Sequence, residues 1–150
     1  MNKNFKAGNQ GGFTLIELVV VITILGILAA TALPKFVSMN VEARLASLAA
    51  VKGSLSSAAN LAHSKYLLTN ATPVSMEGTS VTIVNGYPDV AGITAAAGIS
   101  TDDYTIDTTT TSGSVIVSPK SAPTASTCKV TYTPAAAGAT PTIAMVATCS

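Results

Sequence analysis

Hydrophobic and polar positions alternate in three regimes along the chain. Residues 1–12, MNKNFKAGNQGG, are polar and basic and end in paired glycines. The next 21 residues, Phe13 to Leu33, are apolar apart from Gly26 and a few threonines, with Glu17 the only charge. At 1.5 Å per residue, a helix of that length spans about 30 Å, the hydrocarbon thickness of a bilayer. A carboxylate costs roughly 2.5–3.5 kcal/mol at the centre of such a helix and less near its end. Glu17 therefore needs an explanation.

Pro34 interrupts the run, and a proline inside a helix kinks or ends it. The helical pattern resumes at once. Val37, Val41, Leu45, Leu48, Leu55, Ala59, Ala62 and Tyr66 recur at steps of three, four or seven and define one apolar face. Gly53 weakens this helix by about 1 kcal/mol. The pattern predicts one long helix over roughly 14–68, ended by residues 70–73. The remainder is rich in Thr, Val, Ser, Gly and Ala. TSVTIV at 79–84, SGSVIVS at 112–118, CKVTYT at 128–133 and PTIAMVAT at 141–148 read as strands. NGYPD at 85–89, KSAPTAS at 120–126 and TPAAAGATP at 133–141 read as turns. TIDTTTTSG at 105–113 reads as polar, flexible and exposed. The expected fold class is α+β, a long helix whose second half packs on a small antiparallel sheet.

Composition adds limits. The chain has 150 residues, 10% of them charged, and a net charge of +1, so no strong field recruits nucleic acid. Lys3 and Lys6 precede the apolar run and no acid does, which keeps the N-terminus cytoplasmic by the positive-inside rule. The rest of the chain then crosses the membrane. The two cysteines, Cys128 and Cys149, form an even count in an exported chain, which reads as a disulfide, with two buried free thiols as the alternative. Closing that loop would stabilise the fold by roughly 3 kcal/mol on the chain-entropy view.

Candidate chemistry is sparse. His63 stands apart from any cysteine cluster and reads as a polar residue on a helix flank. Asp102, Asp103 and Asp107 lack the glycine spacing of a calcium loop and read as solvated charge. Asn70-Ala71-Thr72 matches a glycosylation acceptor, a triplet that arises often by chance. Lys120 and Lys129 near Tyr132 make a thin basic patch for DNA. The sequence has no Gly-rich phosphate loop, GxSxG elbow or CxxC, so no catalytic constellation, metal site or cofactor is expected. At the N-terminus two readings compete. Ala30-Thr31-Ala32 is a small-x-small pattern after an apolar core, which a signal peptidase would cut before Leu33 to leave a soluble secreted protein. That reading leaves Glu17 and the paired glycines incidental.

The other reading rests on GGFTLIEL at 11–18 followed by the apolar run, which resembles the N-terminus of type IV pilins and the related pseudopilins. The resemblance implies the pilin fold, with residues 1–12 a cleaved leader, 13–34 a helix for membrane and filament core, and 35–150 the head. It implies that a prepilin peptidase cuts between Gly12 and Phe13 and methylates the new amine of Phe13. Glu17 matches the family's glutamate, and Pro34 the proline that kinks the family's helix. In the filament, Glu17 would pair with the amine of Phe13 on a neighbouring subunit. A paired charge is tolerated where a lone one is expensive, and only one axial step brings the two together. LPKF at 33–36, NGYPDVAGI at 85–93 and the segment 128–149 are similar to mannose-sensitive haemagglutinin-type pilins. There the two C-terminal cysteines close a disulfide loop with an exposed outer face.

The function so implied is a structural and non-enzymatic one, the major subunit of a type IV pilus for surface attachment and biofilm formation. Implied partners are further copies in a helical polymer, the prepilin peptidase, an inner-membrane assembly platform with its ATPases, an outer-membrane secretin and minor pilins. No specific nucleic acid is among them. The chain would lie in the inner membrane before assembly and on the cell surface afterwards. The major pseudopilin of a type II secretion system is the alternative within the same family. A DNA-uptake pilin is the binding-module alternative.

Overall fold

The computed structural model describes residues 12–109 and 113–150. Residues 1–11, which make up all but Gly12 of the expected leader 1–12, and residues 110–112, in the middle of the threonine run, lie outside the described residues. One long helix, α1, spans Leu15–Thr69. The chain divides into two compact units, Met1–Met39 and Asn40–Ser150, and α1 contributes to both.

In the first unit the described residues belong almost entirely to α1. The helix continues through Pro34. Its side chains are exposed, Ala32 alone being half-buried among the described residues. The hydroxyls of this stretch find partners within the helix. Thr23 Oγ1 donates to the carbonyls of Val19 and Val20, and Thr31 Oγ1 donates to that of Leu28. Such back-bonding hides hydroxyls that would otherwise face an apolar medium.

In the second unit α1 buries Leu48, Val51, Leu55, Ala58, Ala59 and Ala62, and Val41, Leu45 and Tyr66 are half-buried. The face expected from the sequence is present, with Val51 and Ala58 added. Val37 is exposed and does not belong to it. The helix ends at Thr69, and Asn70 takes φ 50, a left-handed turn that asparagine tolerates.

Among the described residues, eight short strands and a second helix follow. Strands β1 (Val74–Met76) and β2 (Thr79–Val81) form one antiparallel hairpin, and β3 (Ile83–Val84) and β4 (Tyr87–Pro88) form another. The short helix α2 covers Gly92–Ala96. Strands β5 (Tyr104–Asp107), β6 (Val115–Pro119), β7 (Cys128–Thr133) and β8 (Thr142–Ala147) pair antiparallel in the order β5-β6-β7-β8. Strand β6 is buried along its whole length, as an interior strand flanked on both edges should be. Its Val115 and Val117 join Cys128, Val130 and Tyr132 of β7 and Leu48, Val51, Leu55, Ala58 and Ala59 of α1 in the main core. A smaller cluster of Val74, Met76, Val81 and Ile83 closes on Ala62. The arrangement is α+β, as expected, and is consistent with the pilin fold.

Three expectations change. The run 79–84 is two strands in different hairpins, split at Thr82, whose carbonyl accepts the amide of Asp89. NGYPD is a two-residue hairpin with the next strand attached: Asn85 (φ 53) and Gly86 (φ 87) turn, and Tyr87 and Pro88 are β4. Asn-Gly supplies the two positive φ values that a type I′ hairpin needs. The stretch 105–113 is not wholly flexible, because Tyr104–Asp107 pairs with β6 as an edge strand. Its polar composition suits an edge, which a simple polarity reading takes for a loop.

Candidate functional site

Glu17 sits in the first turn of α1, and the structure shows what occupies its carboxylate. The amide and the hydroxyl of Thr14 both donate to Glu17 Oε2 at 2.8 Å. In return the amide of Glu17 donates to Thr14 Oγ1 at 3.3 Å. The carbonyl of Thr14 accepts from the amide of Leu18, so Thr14 is the N-cap residue. Thr14-x-x-Glu17 is thus a reciprocal capping box, which satisfies two of the donors that every helix start leaves unpaired. The negative carboxylate also lies at the positive end of the helix dipole. The sequence signal for it, Thr followed three positions on by Glu ahead of an apolar run, stands at 14–17.

Phe13, next to the cap, is 95% exposed. From Leu15 to Met39 the large apolar side chains are uncovered, Leu18, Ile22, Leu25 and Leu28 among them. The most apolar 18-residue stretch of α1 has a mean hydropathy of 2.5 and none of it is buried. Among the described residues α1 is the one helix long and apolar enough to cross a membrane. A lone carboxylate, tied back on the helix start, therefore stands at one end of an apolar surface that water does not favour.

The second unit places the other candidate residues. Cys128 and Cys149 form a disulfide, with their Cα atoms 4.8 Å apart. The bond joins the start of β7 to the segment after β8 and closes the β7–β8 hairpin from below. Arg44 Nη1 of α1 donates to the carbonyl of Cys149 at 3.0 Å and ties that segment to the helix. His63 is more than a flank residue. It stacks on Tyr87 with ring centroids 4.2 Å apart, and its Nδ1 lies 2.7 Å from the carbonyl of Gly86. This pins the β3–β4 turn to α1, and it is a structural use. Asp107 accepts from the amide and hydroxyl of Thr109, and Asp102 accepts from the hydroxyl of Ser100. No group of three or more His, Cys, Asp or Glu among the described residues is arranged to hold a metal ion.

The basic patch loses its aromatic member. Tyr132 is completely buried and donates its hydroxyl to the carbonyl of Pro88 at 2.8 Å. Burial, together with the neighbouring Asp89 carboxylate and Tyr87, holds its phenol well above the ordinary range. The ring is core, so it offers no stacking face for a base.

Residues 8–33 match the family described as the prokaryotic N-terminal methylation motif. No curated protein and no solved structure gives a match. The motif spans the glycine pair, Phe13, the capping box and the apolar run, and it supports a type IV pilin-like precursor, of either the pilin or the pseudopilin kind. It implies processing by a prepilin peptidase and assembly into a pilus-type polymer. With the apolar helix, it is consistent with membrane anchoring before assembly.

Proposed function

We propose that the chain is the major structural subunit of a type IV pilus of the mannose-sensitive haemagglutinin type, used for surface attachment and biofilm formation. The prepilin peptidase cuts between Gly12 and Phe13, removes the leader 1–12 and methylates Phe13. Residues 13–34 hold the subunit in the inner membrane and then pass into the filament core, with Pro34 as the kink. Residues 35–150 form the head, and the disulfide loop from Cys128 to Cys149 presents the subunit-specific surface. Assembly uses the inner-membrane platform with its ATPases, the outer-membrane secretin and minor pilins. In the filament Glu17 pairs with the amine of Phe13 on the next subunit and sets the axial register.

The observation that carries this reading is the apolar surface of α1 from Leu15 to Met39, uncovered and bearing a single acid, within a matched methylation motif. A lipid bilayer covers that surface in the store, and the same face of other copies covers it in the filament. Both are apolar, so a subunit passes between them without first exposing the helix to water. The disulfide-closed hairpin favours a pilus over the pseudopilin alternative.

The test is the intact mass and N-terminal sequence of protein sheared from cells, with electron microscopy of the sheared material. The expected result is a chain beginning at N-methyl-Phe13, two mass units light for the disulfide, in filaments on the cell surface. A chain beginning at Leu33 and free in the medium overturns the proposal. A methylated chain confined to the cell envelope, with no surface filament, moves it to the pseudopilin.

A further inference from the structure

Two hydrogen bonds from Thr14 converge on one oxygen of Glu17, Oε2. Among the described residues the other oxygen, Oε1, has no hydrogen bond. A carboxylate accepts about four hydrogen bonds, two at each oxygen, so the capped group keeps half of its capacity. We infer that Thr14 is the positioning residue for Glu17, holding Oε2 on the first turn of α1 while Oε1 stays available to a cation from a second copy of the chain. The inference rests on the proposed pairing of Glu17 with the Phe13 amine, and deepens it.

The chemistry favours an anchored carboxylate over a free one. A glutamate side chain has three rotatable bonds, and in lipid an uncapped carboxylate turns toward the nearest water or headgroup. The capping box removes that freedom before assembly, so less is lost when the pair forms. It also gives the charge two donors inside an apolar medium, where an unsatisfied carboxylate is expensive. Pairing through Oε1 leaves the cap intact, so store and filament keep the same helix start. The hydroxyl is the critical group. Valine has the shape of threonine, but it removes the bond from Oγ1 to Oε2 and the acceptor for the Glu17 amide.

Two readouts test this. The first is residue-resolved amide hydrogen exchange of the full chain in lipid nanodiscs. In Thr14→Val, exchange at the amide of residue 17 rises about fivefold or more, the effect of losing an N-cap acceptor. Thr14→Ser, which keeps the hydroxyl, restores protection. The second is filament yield per mature chain in cells, which falls in Thr14→Val and recovers in Thr14→Ser. Unchanged exchange in Thr14→Val overturns the cap in lipid. Raised exchange with wild-type filament yield overturns the positioning role. Glu17→Gln separates this from the pairing itself, because glutamine keeps the capping box but carries no charge. It should keep the residue 14 amide protected and lose filaments. Normal filaments from Glu17→Gln sink the charge pair of the proposed function, while the exchange result still decides the cap.

Discussion

Glu17 and Tyr132 are the two residues whose surroundings say most about what the chain tolerates. Glu17 is capped at the start of an apolar helix, and in the proposed filament its charge is what specifies register. Glu17→Val should therefore leave the chain cut and membrane-bound while abolishing filaments, seen as mature-length protein in the membrane fraction and bare cells in the electron microscope. Tyr132 is a phenol in the core of the second unit. Its folded pKa lies above its ordinary value of about 10, so the folded state holds a proton that the unfolded state releases as pH rises. Its contribution to stability is thus full below about pH 10 and is lost above that value. Tyr132→Phe should lower stability by about 1 kcal/mol at neutral pH, because the Pro88 carbonyl loses its donor. The same variant should show a shallower loss of stability above about pH 10, measured by urea unfolding of the full chain in detergent across a pH series.

At the scale of elements, α1 follows two rules in its two parts. In the second unit it is an amphipathic helix whose buried stripe meets β6 and β7. Leu55 is fully buried at the centre of that stripe. Leu55→Ala should cost about 2–5 kcal/mol through lost burial and a residual cavity, read as a lower urea midpoint with an unchanged slope. In the first unit the helix has no such partner face among the described residues, and its hydroxyls bond back to its own carbonyls. Strand β8 is the more exposed of the sheet's two edges, β5 being the other, and carries no charged residue along Thr142–Ala147. Edges of that kind pair readily with other strands, and here the disulfide limits the strand's freedom to peel away.

For the molecule as a whole, the covalent closure acts on the second unit, Asn40–Ser150. The Cys128–Cys149 bond, the Arg44 contact with the Cys149 carbonyl and the β7–β8 ladder all act on the same C-terminal segment. Reduction should lower the stability of the second unit by roughly 3 kcal/mol, measured as the shift in denaturant midpoint with and without reductant. It should leave the exposed half of α1 unchanged by circular dichroism, because none of these contacts involves residues before Asn40.

The long helix, its two regimes and strands β7 and β8 were legible because each rests on a local pattern: an uninterrupted apolar run, a stripe at helical spacing, alternation over six residues in β7 and a short apolar run after a turn in β8. The N-terminal motif was legible because its residues lie within one short stretch. Even the Thr14-x-x-Glu17 box had a sequence signature, since both partners sit in one helical turn. What tertiary structure alone decided depends on residues far apart in the chain. The break at Thr82 follows from a bond to Asp89 and from two hairpins competing for one apolar run. The polar stretch Tyr104–Asp107 became a strand because β6 offered it an edge. His63 and Tyr132 took their places from Tyr87 and Pro88, residues 24 and 44 positions away, and no local pattern reports contacts at that range.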